Sequence, residues 1–219
     1  VVDTGVDASH PDLAGRILDG YTAIDANTSG QKYDPLKSDD DHGHGAHVSG
    51  IIAALCDNSL GIQGVAGKTR VEILPVKVLN DDGKGSTYDI VEGIRYAADN
   101  GADIINLSLG SSYPSELERE AVVYAQNKGC LIIAASGNDG INVAYTYPAS
   151  YDNVVSVGSV DRDDSRSYFS NYGDTLDLSA PGSSIVSTVP KAVAMEEKAE
   201  GKTVYGNDRE GYYAVWSGT

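Results

Sequence analysis

The stretch IINLSLGSSYPSELEREAVVYAQNKGCLIIAASGNDG, residues 104–140, decides the fold. It opens on an apolar run at 104–109 and closes on another at 130–135. Between them Leu117, Ala121, Val122 and Ala125 recur at the three- and four-residue spacing of one helix face. Strand, helix and strand in that order make one crossover unit. Runs this rich in Val, Ile and Leu suit parallel strands covered on both faces. The pattern extends both ways. Residues 71–79 and 154–160 read as further strands. Helical spacing recurs at His47, Val48, Ile51, Ile52 and Leu55, and again at Ile90, Ile94, Ala97 and Ala98. The alternation implies an α/β fold with a mostly parallel sheet, whose chemistry belongs at the carboxyl ends of its strands.

Composition narrows the function. The chain has 219 residues, with 16 Lys+Arg against 32 Asp+Glu and a net charge of −16. That balance argues against nucleic acid or an anionic membrane as partner, since both demand basic surfaces. No apolar run approaches the roughly 20 residues that span a bilayer. Cys56 and Cys130 are too few for a disulfide scaffold and read as free thiols. Residues 190–210 are polar, highly charged and lack an apolar face. They read as an exposed insertion, a short helix followed by a turn at Gly206-Asn207.

Three polar residues stand at element ends. Asp3 follows an apolar pair, His44 precedes a helix, and Asn138 follows the apolar run at 130–135. Singly, each fits an ordinary turn or cap. Together they supply an acid, a base and an amide donor. His42, His44 and His47 also raise the possibility of zinc, but HExxH is absent and no Cys stands at a ligand spacing. The neighbouring Asp39, Asp40 and Asp41 read as a solvated loop.

The chain resembles the subtilisin-like serine proteases over nearly its whole length. The blocks are VVDTGVDASHPDL (1–13), HGAHVSGIIAAL (44–55), GVAG (64–67), PVKVLNDDGKGS (75–86), INLSLG (105–110), AASGNDG (134–140), YPASYDNVVSVGSV (147–160), LSAPG (178–182) and SGT (217–219). The resemblance implies a three-layer α/β fold and a serine endopeptidase acting on protein or peptide substrates. The alternative is a non-catalytic relative that binds peptides or partners. His44 would be the general base, Asp3 would fix its tautomer, and the Asn138 amide would face the oxyanion. The start of a helix at His44 is expected to keep the ring neutral.

The resemblance also implies that 1–219 is a single, incomplete catalytic domain. It stops at Thr219, immediately before the nucleophilic Ser, so the fragment should lack turnover. The helix that follows that Ser would be missing too, and the uncovered core should promote self-association, which sedimentation would reveal. Ser108, Leu109 and Gly110 would form one wall of the primary pocket, and Ala135, Ser136 and Gly137 the other. Thr146 would line its floor and make it shallower. Gly83, Lys84 and Gly85 would lie on the second strand that sandwiches the substrate. Residues 55–64 resemble a calcium loop, with the side chains of Asp12 and Asn58 and the carbonyls of Leu55, Leu60 and Ile62 as ligands. Relatives of this kind are mostly secreted or cell-surface proteins.

Overall fold

A computed structural model of the chain describes residues 1–24 and 38–219. The chain divides into two compact units, Val1–Gly93 with Val186–Val215, and Ile94–Ile185 with Trp216–Thr219.

In the first unit, three short strands, β1 (Val2–Asp3), β2 (Tyr21–Thr22) and β3 (Val76–Lys77), pair in parallel with β3 in the middle. The apolar run at 71–79 contributes only β3 to a ladder. Pro75 has no N–H to donate, and Ile73 makes an isolated bridge to Ile17 instead. Helix α1 (His44–Ala53) follows. Val6, Leu13, Ala53 and Ile73 form the core here, with Val1, Ile17, Ile52 and Val71 against it.

Helix α2 (Thr87–Asp99) leads into the second unit, where β4 (Ile104–Leu107), β5 (Leu131–Ala135), β6 (Val154–Val160) and β7 (Leu178–Pro181) lie side by side, all parallel. Helix α3 (Glu116–Asn127) makes the crossover between β4 and β5. It is capped by Ser115, whose Oγ accepts from the Glu118 N–H, and it buries Ala121, Val122 and Ala125. The register puts Ile105, Leu107, Ile132, Ala134 and Val154 in the buried layer. The alternate residues differ from the expectation of burial on both faces. Ile104 is 54% exposed, Leu131 46% and Leu178 60%. A strand with one face covered alternates even when its sequence does not.

Residues 190–210 are mostly exposed and hold the short helix expected of them. Helix α4 (Lys191–Ala199) buries Val193 and Ala194, and β9 (Val204–Asn207) pairs antiparallel with β10 (Gly211–Trp216). With β8 (Ile185–Val189) they form a sheet in the order β8-β10-β9. Gly206 and Asn207 therefore end a strand, and the turn comes just after them. Asn207 fixes it, its Oδ1 accepting from the Arg209 and Glu210 N–H groups. Both cysteines are free.

Candidate active site

Asp3 ends β1 and His44 opens α1. The two side chains meet, His44 Nδ1 lying 2.7 Å from Asp3 Oδ1. Asp3 is fully buried and its Oδ1 also accepts from the Thr4 N–H at 2.7 Å. Its Oδ2 is buried with no hydrogen-bond partner among the described residues. A proton held on Nδ1 leaves Nε2 as the basic nitrogen. Burial pulls the His44 pKa down. The hydrogen bond to Asp3 and the charges of Asp3 and Asp40 outweigh it and leave the pKa above the ordinary imidazole value. The expectation that the helix start keeps the ring neutral is corrected by this balance. A helix end carries about half a unit charge, and here it faces two carboxylates.

Close approach makes the pairing possible. A Cβ at Gly45 would lie 2.2 Å from the Gly5 carbonyl oxygen and 3.2 Å from Asp3 Cβ. Only a glycine lets α1 lie so near β1.

Asp40 is not a solvated acid. It is 8% exposed. Its Oδ1 accepts from the Gly43 N–H at 2.7 Å, the His42 N–H at 3.1 Å and the Thr4 hydroxyl at 2.9 Å, and its Oδ2 from the Ala46 N–H at 2.7 Å. Thr4 Oγ1 in turn accepts from the Gly45 N–H at 2.8 Å. Gly43, in the left-handed region at the N-cap of α1, has no side chain to satisfy these donors. Asp40 and Thr4 supply the cap from elsewhere in the chain. Lys77 stands beside them, its buried Nζ donating to the Thr4 carbonyl and to Asp41 Oδ1. Of the other histidines, His10 Nδ1 accepts from the Asp12 N–H, and His47 is buried. Among the described residues no three His, Cys, Asp or Glu side chains cluster as a metal site.

In the second unit, the adjacent strands β4 and β5 end in two short segments, Ser108-Leu109-Gly110 and Ser136-Gly137-Asn138. Asn138 is exposed, and its Oδ1 accepts from the Thr219 N–H at 3.0 Å. The Gly137 N–H donates to Thr219 Oγ1 at 3.1 Å. The amide's donor arm, Nδ2, is then the part of Asn138 suited to an anion. Thr146 is buried, and its methyl lies close to both of these segments. Its Cγ2 would lie 3.3 Å from a Cβ at Gly137 and 3.5 Å from one at Gly110. Asn171, which carries no sequence signal, sits behind this group, fully buried.

Two further regions named in the sequence are held by asparagine side chains. Gly83, Lys84 and Gly85 belong to no strand ladder. Asn80 folds the segment back, its Oδ1 accepting from the Asp82 and Lys84 N–H groups. In the 55–64 loop, Asp12 is fully buried. Its Oδ1 accepts from Asn58 Nδ2 at 2.7 Å, and its Oδ2 from the Ile62 N–H at 3.0 Å and the Tyr213 hydroxyl at 3.2 Å. Asn58 Oδ1 accepts from the Leu60 N–H. No donor among the described residues reaches the carbonyls of Leu55, Leu60 or Ile62.

The model of the Subtilase family (Peptidase_S8) matches residues 1–219. The thermophilic serine proteinase of Bacillus sp. (strain AK1) is 48% identical over 189 residues, covering 86% of this chain and 44% of that protein. Thermitase of Thermoactinomyces vulgaris is 45% identical over 190 residues, covering 87% and 64%. The cell wall-associated protease of Bacillus subtilis (strain 168) is 51% identical over 190 residues, covering 87% and 20%. The chain thus spans less than two thirds of each of these relatives. The crystal structure of a cold adapted subtilisin-like serine proteinase is similar at a TM-score of 0.77 with 32% identity, covering 99% of this chain and 67% of that one.

Proposed function

The chain belongs to the subtilase family, and from that premise we propose that the whole protein is a serine endopeptidase working through an acyl-enzyme. The observation that carries the reading is the 2.7 Å contact between the buried Asp3 carboxylate and His44 Nδ1. The nucleophile would be a Ser directly after Thr219. Its hydroxyl oxygen bonds to the scissile carbonyl carbon as its proton passes to His44 Nε2. His44 returns that proton to the leaving amine, the C–N bond breaks, and water repeats the cycle to free the acid. Asp3 holds the tautomer and stabilises the imidazolium. Asn138 Nδ2 donates to the oxyanion. Ser108, Leu109, Gly110, Ala135, Ser136 and Gly137 wall the primary pocket, and the segment Gly83-Lys84-Gly85 lies along an extended substrate. The Thr146 methyl on the pocket floor favours medium apolar side chains. The protein acts at the cell surface or beyond it.

A serine-directed phosphonate tests the reading. The whole protein should take up one phosphonate and lose its peptidase activity, while His44→Ala should block labelling. Peptide cleavage that survives the reagent, or no cleavage at all, would sink the proposal.

Calcium fits the 55–64 loop. The buried Asp12 carboxylate and three loop carbonyls that receive no hydrogen bond from the described residues are oxygen donors of the hard kind this ion prefers. Asp12, Leu55, Leu60 and Ile62 would hold it, with Asn58 turning its Oδ1 inward. The ion would supply structural stability and no catalytic step. At about 100 times its Kd a ligand adds about 2.7 kcal/mol. EGTA should therefore lower the melting temperature by roughly 5–10 °C, using 2–4 °C per kcal/mol for a chain of this size. An unchanged melting temperature would mean that the hydrogen bonds to Asp12 close the loop alone.

A further inference from the structure

We propose that Asn171 is a positioning residue that fixes the oxyanion loop and the floor of the primary pocket with one side chain. The proposal rests on the protease reading above for the roles of Asn138 and Thr146.

Asn171 is fully buried, and every valence of its carboxamide is used. Oδ1 accepts from the Asp139 N–H at 3.1 Å and the Ile141 N–H at 3.0 Å. Nδ2 donates to the Ser136 carbonyl at 2.8 Å and to Thr146 Oγ1 at 2.9 Å. The Asn171 backbone N–H donates to the Gly137 carbonyl at 2.9 Å. Four of these bonds go to main-chain groups at 136, 137, 139 and 141, on both sides of Asn138. None goes to Asn138 itself, whose side chain stays exposed.

The fifth bond reaches the pocket. By holding Thr146 Oγ1, Asn171 Nδ2 turns the Thr146 methyl toward Gly110 and Gly137. Without that bond the hydroxyl could rotate onto the floor in place of the methyl. Gly137 completes the arrangement. Its φ is +102°, and a Cβ there would lie 2.5 Å from Asn171 Nδ2. One carboxamide thus sets where the oxyanion donor sits and which Thr146 group meets the substrate. An aliphatic residue at 171 would leave four polar groups unpaired.

The test uses the whole protein, kcat counted per phosphonate-titrated site, and paired substrates with phenylalanine or alanine before the cut. Asn171→Ala should lower kcat about 10- to 100-fold by letting the loop drift, and should change the phenylalanine-to-alanine selectivity about threefold or more. Thr146→Ser deletes the methyl and should raise that selectivity about tenfold. In combination with Thr146→Ser, Asn171→Ala should still lower kcat but no longer change selectivity, because no methyl remains to orient. The proposal is overturned if Asn171→Ala lowers only the melting temperature, or if it shifts selectivity equally with and without Thr146→Ser. Should Asn171→Ala fail to fold, amide exchange in the unmodified whole protein decides. Protection of Asp139 and Ile141 by about 100-fold or more supports the clamp, and exchange at unstructured rates overturns it. If the unmodified whole protein cleaves neither substrate, the protease reading fails and the exchange measurement alone judges the clamp.

Discussion

Asp3→Asn in the whole protein is expected to cut kcat by roughly 10⁴. The substitution preserves size and replaces a carboxylate with an amide at a position of 0% exposure. Asp3 Oδ1 accepts from both Thr4 N and His44 Nδ1. An amide can turn its NH₂ toward the ring, which then carries its proton on Nε2 and cannot accept one from the nucleophile. The imidazolium formed in the reaction also loses its nearest charge. Activity within tenfold of the unmodified protein would exclude this role.

The same substitution should move the pH dependence in a defined direction. Burial lowers the His44 pKa, and Asp3 and Asp40 raise it further than burial lowers it. The acid limb of kcat/KM, where His44 of the free protein loses its proton, should lie above the ordinary value of about 6.5. In Asp3→Asn it should move to lower pH, because burial persists and the larger attraction is gone. Stability follows the same sign. A histidine raised in the folded state stabilises it below the unfolded pKa, and that contribution disappears as pH rises through the folded value.

Asn138→Ala should lower kcat by roughly 10²–10³ with little change in KM. On the proposed reading the Nδ2 donor acts where charge develops, so its loss should raise the barrier without weakening the ground state. Alanine also removes Oδ1, which accepts from the Thr219 N–H, and so alters the loop's tie to that residue. Asn138→Asp separates the two effects. It keeps an acceptor for Thr219 and has no donor for the oxyanion. Near-normal kcat in Asn138→Asp would refute the donor role.

The contact between Asp3 and His44 was legible only through the resemblance of the sequence blocks that carry them, since each residue alone fits an ordinary turn or cap. The strand–helix–strand alternation gave the α/β class directly, since apolar periodicity is written residue by residue. What supports the pair was not legible. Asp40 stands in a run of three acids, and a charge run ordinarily faces solvent. Its burial depends on Thr4 and the first turn of α1, which no local pattern announces. Asn171 is farther still from the residues it holds. Its neighbours Ser170 and Tyr172 look like any turn, and its bonds to Ser136, Asp139, Ile141 and Thr146 exist only once β5 and the chain after β6 are side by side. Residues 71–79 failed for another cause, because apolar content says nothing about the donor missing at Pro75. The exposed alternation at Ile104, Leu131 and Leu178 was hidden by uniformly apolar strands, whose composition does not reveal which face is covered.

Gly45 carries a consequence for anyone improving this protein. Changing a helical glycine to alanine is a routine stabilising move, worth about 0.5–1 kcal/mol through helix propensity. At Gly45 the sign should reverse, since the new methyl would meet the Gly5 carbonyl at 2.2 Å. Relief would come from sliding α1 away from β1, and His44 would travel with it. The gap between Asp3 and His44 is gauged by a methyl group that is not there, so a variant chosen for heat resistance at this position would lose the contact between those two side chains first.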